Sequence, residues 1–261
     1  KNPLQKPLKL LLNATYGIMK DKNNAMYDPR QANRVCIYGQ LLLLDLIEHL
    51  EPYAEIIQSN TDGVLIRMPD GKDESSWFDK IDDVAYEWEQ RTGLNLEFDE
   101  YREVFQKDVN TYIIVDAEGH YKAKGGYVKS LSELDYDLPI VNKALVDYMV
   151  KGIPVERTIN ECNKLKEFQM VTKISGKYSY IIYGNEKLHE KCIRVFAGKN
   201  QALPGVVKIH AVTGRPAKIT NSPEHCFMFN DNINDQEVLP ELDKQFYIDM
   251  AKKRLNDFGV I

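Results

Sequence analysis

No stretch of this chain holds the roughly 18 consecutive apolar residues that a membrane-crossing helix needs. The apolar run at 41–44 is short and sits inside a helical pattern, and no secretory leader is visible. Cysteine is scarce and scattered: Cys36, Cys162, Cys192 and Cys226 form no Cys-x-x-Cys pair. That spacing excludes zinc knuckles, and four reduced thiols in a cytoplasmic protein is the simplest reading. Repeats and low-complexity tracts are missing as well. So is an excess of basic residues: the net charge is −5, which argues against binding nucleic acid through bulk charge. The average conceals a split, because residues 67–103 carry five Lys/Arg against twelve Asp/Glu and leave the remainder mildly basic. An acidic solvated flank beside a basic groove fits that distribution.

What remains is globular. The chain has 261 residues, 43% hydrophobic and 28% charged, enough for one large domain or two moderate ones with a core that needs no staples. It opens on Lys1 rather than on methionine, and it reads as a piece of a longer protein. Helical spacing covers 4–19, 31–50, 76–90, 139–150, 155–166 and 242–258. β-rich runs flank Ser59-Asn60-Thr61-Asp62-Gly63, a hairpin signature in which Gly63 can supply positive φ. Pro69-Asp70-Gly71 reads as a turn. Strands are expected at 94–104, 111–116 and 121–128 as an antiparallel meander, and again at 178–183 and 191–196. The texture changes near Ser130, which marks a soft domain boundary.

Three constellations carry chemistry. Lys9, Asn13 and Tyr16 lie at i, i+4 and i+7, so one helix face stacks a cation, an amide and an aromatic ring, with Gly17 beside them. Such a row can hold a triphosphate by charge and a base pair by shape, although an ordinary amphipathic helix presents the same spacing. Asp62 stands at a tight hairpin tip, where a stiffly held carboxylate suits a divalent cation; Asp-Gly is also a common turn pair. Third, 107–112 and 120–129 interleave basic and aromatic residues along strands, a pattern that contacts a phosphate backbone or simply faces water.

Their order and spacing resemble the family B DNA polymerases, and the chain's texture is similar to the phage or prophage type. Residues 8–17 resemble the fingers motif K-x3-N-S-x-Y-G, Asn60-Thr61-Asp62-Gly63 the palm motif D-T-D-S, and 107–112 the downstream K-x-Y motif. Residues 124–129 resemble the strand that leaves the palm, and Asn221-Ser222-Pro223-Glu224-His225 resembles, more weakly, the thumb of phage-type members. The resemblance implies an α+β fold: a fingers remnant at 1–30, an antiparallel palm sheet with packed helices at 31–130, and a mixed thumb at 131–261. It implies template-directed nucleotidyl transfer onto a primer 3′-hydroxyl, with two Mg²⁺ ions clamping the reacting oxygens. Lys9 would contact the incoming deoxynucleoside triphosphate, with Asn13 beside it. Tyr16 would pack on the nascent base pair, with Gly17 allowing close approach. Asp62 would be the catalytic metal ligand. Lys107, Asn110, Tyr112, Lys122, Lys124 and Lys129 would face primer-template DNA. A monomeric, cytoplasmic protein follows, with no membrane partner.

Asn60 replaces the family's first hairpin Asp, Gly63 its Ser, and Asn110 the first Lys of K-x-Y, with Lys107 near enough to reach the same phosphate. The family's other carboxylate motif, D-x-x-S-L-Y-P-S, has no counterpart; Asp45-Leu46-Ile47-Glu48 lies mid-helix and lacks the rest of the pattern. The chain alone is therefore expected to be inactive. A non-catalytic DNA-clamping module derived from a polymerase, and an unrelated α+β protein, are the competing readings.

Overall fold

The computed structural model describes residues 4–69, 74–132 and 136–261. It is an α+β protein whose sheets are all antiparallel, divided into two compact units, Lys1–Asp99 and Glu100–Ile261. No helix among the described residues is long and apolar enough to cross a membrane. The turn expected at Pro69-Asp70-Gly71 falls largely outside the described residues.

The first unit begins with α1 (Gln5–Ile18) and α2 (Pro29–Leu50). Asp28 caps α2 by accepting a hydrogen bond from the Gln31 amide, 2.9 Å, and Pro29 occupies the first turn, where its missing N–H costs nothing. A hairpin follows, β1 (Glu55–Asn60) and β2 (Gly63–Arg67), then α3 (Glu74–Thr92). Leu46, Leu50, Ala54, Ile81 and Trp88 form the small core, and the Trp88 indole donates to the Leu42 carbonyl at 3.0 Å. This satisfies the polar end of a ring whose apolar body is buried.

The second unit opens with a meander, β3 (Glu103–Asp108), β4 (Thr111–Val115) and β5 (Tyr121–Lys124). Alternation sends Ile113 and Val115, both fully buried, into the core and leaves Tyr112, Lys122 and Lys124 on the other face. Helices α4 (Pro139–Lys151) and α5 (Val155–Glu161) pack with the closing α6 (Lys244–Asp257). Two small sheets complete the unit. In one, β9 (Cys192–Ala197) lies between β6 (Met170–Lys173) and β12 (Cys226–Met228). The other runs in the order β11 (Pro216–Lys218), β10 (Val206–His210), β7 (Tyr178–Tyr183), β8 (Glu186–Leu188). Phe168 and Tyr247 are fully buried edge to face, 5.1 Å between centroids, and the Tyr247 hydroxyl accepts the Ala197 amide at 3.1 Å.

Several expected elements are shorter than their patterns. Strand structure expected from 94 starts only at Glu103, because the Leu96 amide is taken by the Glu89 carboxylate and Phe98 packs on Phe78, so the alternating apolar residues serve the first unit's side-chain packing. The strand expected at 121–128 stops at Lys124, where Gly125 turns the chain at φ +96° and its carbonyl accepts both Val128 and Lys129 amides. The helix expected at 155–166 ends at Glu161; residues 163–165 instead bond backbone groups of 236–238. The boundary anticipated near Ser130 is not where the compact units part, since the meander's core residues belong to the second unit's core.

Gly125 is the tightest backbone contact in the meander. A Cβ there would meet the Asn110 carbonyl at 2.6 Å and the Thr111 Cα at 2.7 Å, while at Gly119, φ +85°, it would meet nothing. Gly119→Ala is expected to cost about 1–2 kcal/mol of left-handed strain. Gly125→Ala is expected to cost about 2–5 kcal/mol, since overpacking adds to the same strain. Urea denaturation of the two variants checks the order.

Candidate functional site

On α1 the row Lys9, Asn13, Tyr16 forms as the spacing predicts. Lys9 and Asn13 are exposed and make no side-chain hydrogen bond among the described residues, so both are available to a ligand. Tyr16 is half-buried: its hydroxyl lies 2.8 Å from the Cys36 sulfur, accepts from the Lys20 ammonium, and its ring lies 4.5 Å beneath that ammonium. Hydrogen bonding to Tyr16 raises Lys20 above the ordinary lysine value. Gly17 is exposed with open space around it and ordinary φ, so the fold itself places no demand for glycine there. Leu4, just before α1, and Leu8, Leu10, Leu11 and Leu12 on it are all more than half exposed, and α1 has no buried residue. Exposed apolar patches of this kind mark interaction surfaces.

Asp62 sits in the two-residue loop Thr61-Asp62, closed by the pair Asn60–Gly63. Positive φ is not used: Gly63 is the first residue of β2 with ordinary φ, contrary to the role the pattern offered it. The turn is fixed instead by Asn60, whose Oδ1 accepts the Thr61 amide at 2.8 Å. Asn60 does by hydrogen bonding what glycine does by conformational freedom. Asp62 is exposed and has no hydrogen-bond partner among the described residues. Among the described residues no hydrogen bond or ion pair joins it to the α1 row. Asp45 is also accounted for structurally, since its Oδ2 pairs with Arg91 at 2.9 Å within the first unit.

In the second unit the meander gathers most of the remaining candidates. Lys107 lies at the irregularity between Gln106 and Asp108, and Asn110 lies in the adjoining turn, its amide bonded to Asp108 at 2.9 Å. Tyr112 pairs across the strands with Lys124, whose ammonium is 5.7 Å from the Tyr112 centroid, and Lys122 follows on the same face opposite Ile114. Lys129 lies beyond the Gly125 turn, its carbonyl 3.4 Å from the Asn142 amide nitrogen. The Lys107 ammonium bonds Asp108 at 2.8 Å and lies 5.5 Å from the Tyr127 ring. Lys107 holds the Asp108 carboxyl below the ordinary range, and Asp108 raises Lys107.

Arg254 went unsuspected in the sequence. Its guanidinium lies 4.3 Å over the Tyr127 ring, on the same ring that Lys107 approaches, and donates to Asn142 Oδ1 at 3.1 Å. Burial lowers it from the usual arginine value, and nearby Tyr127 opposes the shift. The run Lys252-Lys253-Arg254 near the end of a helix was the available signal, but such runs commonly face water.

Asp116, Glu118 and His120 bring three potential metal-ligating atoms within 4.8 Å of one another, and among the described residues no other group of three does so. This cluster lies at the β4–β5 turn, where Asp116 Oδ1 accepts the His120 amide at 2.7 Å and its Oδ2 lies 3.2 Å from His120 Nδ1. These bonds close the loop and account for the grouping. Asp62, by contrast, offers a single carboxylate.

No known family model matches the chain. It is similar to "DNA polymerase 1" of Sulfurisphaera ohwakuensis, 23% identical over 277 aligned positions. The match covers 99% of this chain and 30% of that protein, so the chain spans just under a third of its relative's length. It is therefore related, distantly and over nearly all of its own length, to a DNA polymerase.

The Lys107–Asp108 pair gives a pH signature. A carboxyl depressed in the folded state adds stability above its unfolded value, and that stability is lost as pH falls through the folded one. The gap in Tm between the native protein and Asp108→Asn is expected to be open at pH 6 and to close below about pH 4. Thermal melts across that range measure it.

Proposed function

We propose that this chain is the fingers-helix, palm and thumb portion of a family B DNA polymerase, 1–30, 31–130 and 131–261, acting on primer-template DNA and deoxynucleoside triphosphates. Support comes chiefly from one observation: similarity to a DNA polymerase runs along 99% of the chain and so spans all three motif sites in their order. The phage-type branch rests on the segment 221–225 and on the texture of the chain.

In the reaction a primer 3′-hydroxyl displaces pyrophosphate from the α-phosphate. Catalysis of this kind is mostly positioning and charge neutralisation. Lys9, unengaged on α1, would offset charge on the departing phosphates, with Asn13 beside it. Tyr16, its hydroxyl tied back by Lys20 and Cys36, would present a fixed ring to the nascent pair. Tyr112, set under Lys124, would steady the primer, while Lys107, Asn110, Lys122, Lys124 and Lys129 would meet its phosphates. Mg²⁺ binds through one or two carboxylates plus substrate phosphates, and Asp62 suits one such ligand. Bound there, the metal would supply Lewis-acid stabilisation of the reacting oxygens. A second carboxylate has to come from outside residues 1–261.

One observation favours a non-catalytic clamping role instead. Asn60 stands where the family has Asp, and its Oδ1 accepts the Thr61 amide. Both readings require DNA binding, but only the first requires nucleotide chemistry.

Anisotropy titrations of a labelled primer-template are expected to show salt-dependent binding. Lys122→Gln and Lys124→Gln should each lower the slope of log K against log salt by about 1. The chain alone, supplied with Mg²⁺ or Mn²⁺, is expected to extend no primer; extension would show that the second carboxylate is not needed.

A further inference from the structure

Each compact unit carries an exposed face with an apolar centre, and the two faces are opposite in charge. The first is the outer face of α3. Ile81, Ala85 and Trp88 are buried, so helical spacing turns Asp79, Asp82, Asp83, Tyr86 and Glu87 to solvent. Tyr86 is 61% exposed. None of the four carboxylates takes part in a hydrogen bond or ion pair among the described residues. Asp79 and Asp83, and again Asp83 and Glu87, stand at i and i+4, where like charges repel along a helix. The nearby cations are engaged elsewhere: Lys80 lies 4.1 Å from the Trp77 centroid, and Arg91 pairs with Asp45 at 2.9 Å. The helix thus bears an uncompensated acidic face with one tyrosine in its midst.

The second is one face of the four-stranded sheet β11-β10-β7-β8. Lys218 pairs with Val207, Val207 with Ile182, and Ile182 with Lys187. Cross-strand partners share a face, so one row crosses the whole sheet as lysine, valine, isoleucine, lysine. The next row on that face is Pro216, Ile209 and Tyr180. Val207, Ile182 and Tyr180 are half-buried, whereas Lys187 and Lys218 are exposed. The Lys187 ammonium lies 4.1 Å from the Tyr180 centroid, which holds it beside the apolar strip. Lys218 reaches Glu224 at 3.3 Å, a pair open to water and therefore weak. With strands about 4.8 Å apart, the two lysines stand roughly 14 Å from each other. That span brackets a helix about 10–12 Å across.

The two faces match in shape and sign. An acidic helix face with a tyrosine at its centre fits an apolar strip with a cation at either end. The opposition also extends beyond these side chains. Residues 67–103 carry five Lys/Arg against twelve Asp/Glu, and residues 164–218 carry eleven against three. Fields of opposite sign steer encounter and fix its orientation. Every copy of the chain has both faces, so a second copy supplies the complement of each.

We propose that the chain self-associates head to tail, the α3 face of one copy docking on the β11-β10-β7-β8 face of the next. Tyr86 covers Val207 and Ile182, and the α3 carboxylates meet Lys187 and Lys218. The interface is heterologous, so a dimer keeps one face of each kind free and can grow. The proposal stands apart from the polymerase reading and uses none of the residues assigned to it.

Sedimentation velocity of the full chain, over a range of concentrations at low and at high salt, is the test. At low salt the average sedimentation coefficient is expected to rise with concentration. At roughly 1 M salt, where the Debye length is about 3 Å, association should be lost. Asp83→Lys/Glu87→Lys and Lys187→Gln/Lys218→Gln should each, alone, weaken self-association by about tenfold or more. Mixed in equal amounts they should form a dimer and nothing larger, because the first keeps its cationic sheet and the second its acidic helix. Lys187→Arg/Lys218→Arg, which keeps the charge, should associate like the native chain. Circular dichroism of all variants controls for folding. A native chain that stays monomeric at low salt overturns the proposal. So does association that survives either double variant, or a mixture that forms no dimer, since the two faces would then not meet. If a monomeric native chain binds a labelled lysine-rich peptide and Asp83→Lys/Glu87→Lys does not, the α3 face takes a different basic protein and the second copy is the wrong partner.

Discussion

One aromatic ring ties together three parts of the second unit. Tyr127 receives the Arg254 guanidinium at 4.3 Å, and Arg254 in turn donates to Asn142 Oδ1. The Asn142 amide reaches back to the Gly126 carbonyl at 2.9 Å, next to Tyr127 itself. This circuit joins the end of the meander, the start of α4 and the last turn of α6, Arg254 lying 112 residues beyond Asn142 in sequence. Its polar members are largely removed from water, where an unpaired group costs about 1–3 kcal/mol, so each link makes the others obligatory. Gly125 has to be glycine because the circuit draws the chain against the Asn110–Thr111 turn. Lys107 of the basic-aromatic cluster approaches the same ring.

The first unit is organised in the opposite way. Its core is small, α1 has no fully buried residue, and Lys9, Asn13 and Asp62 stand in solvent with no side-chain hydrogen bond among the described residues. Free side chains on a regular helix face and at a two-residue loop are positioned by backbone rather than by packing. That suits groups whose partners are substrate phosphates or a metal ion, since pairing them within the fold would have to be undone before binding. The exposed leucines of α1, with Ile37, Leu41 and Leu44 along α2, are the other side of the same organisation: apolar side chains left in solvent among the described residues.

Long periodic segments were legible from sequence. The helices at 5–18, 29–50, 74–92, 139–151 and 244–257 agree with their apolar spacing within a few residues, and so does the hairpin around Thr61-Asp62. Misreadings arose where a period-two or helical pattern was serving something else. Leu94, Leu96 and Phe98 alternate like a strand, but Leu96 and Phe98 serve the first unit's packing and the Leu96 amide bonds Glu89. Strands β6, β10 and β12 are three to five residues long and pair with β9 or β7, partners distant in sequence that no local window contains. Of the candidate site residues, those on α1 and the meander could be placed on faces from spacing alone. Arg254 could not, because its importance is a tertiary contact with Tyr127.

The central claim is that Asp62 holds a catalytic metal in template-directed synthesis. Primer extension should be measured on a polypeptide that joins this chain to the missing carboxylate motif, comparing Asp62 with Asp62→Asn. A loss of about 10³-fold or more, corresponding to roughly 4 kcal/mol of transition-state stabilisation, is the predicted result. Equal extension by both proteins would contradict it, and Asp62 would then be no more than the residue that turns the hairpin.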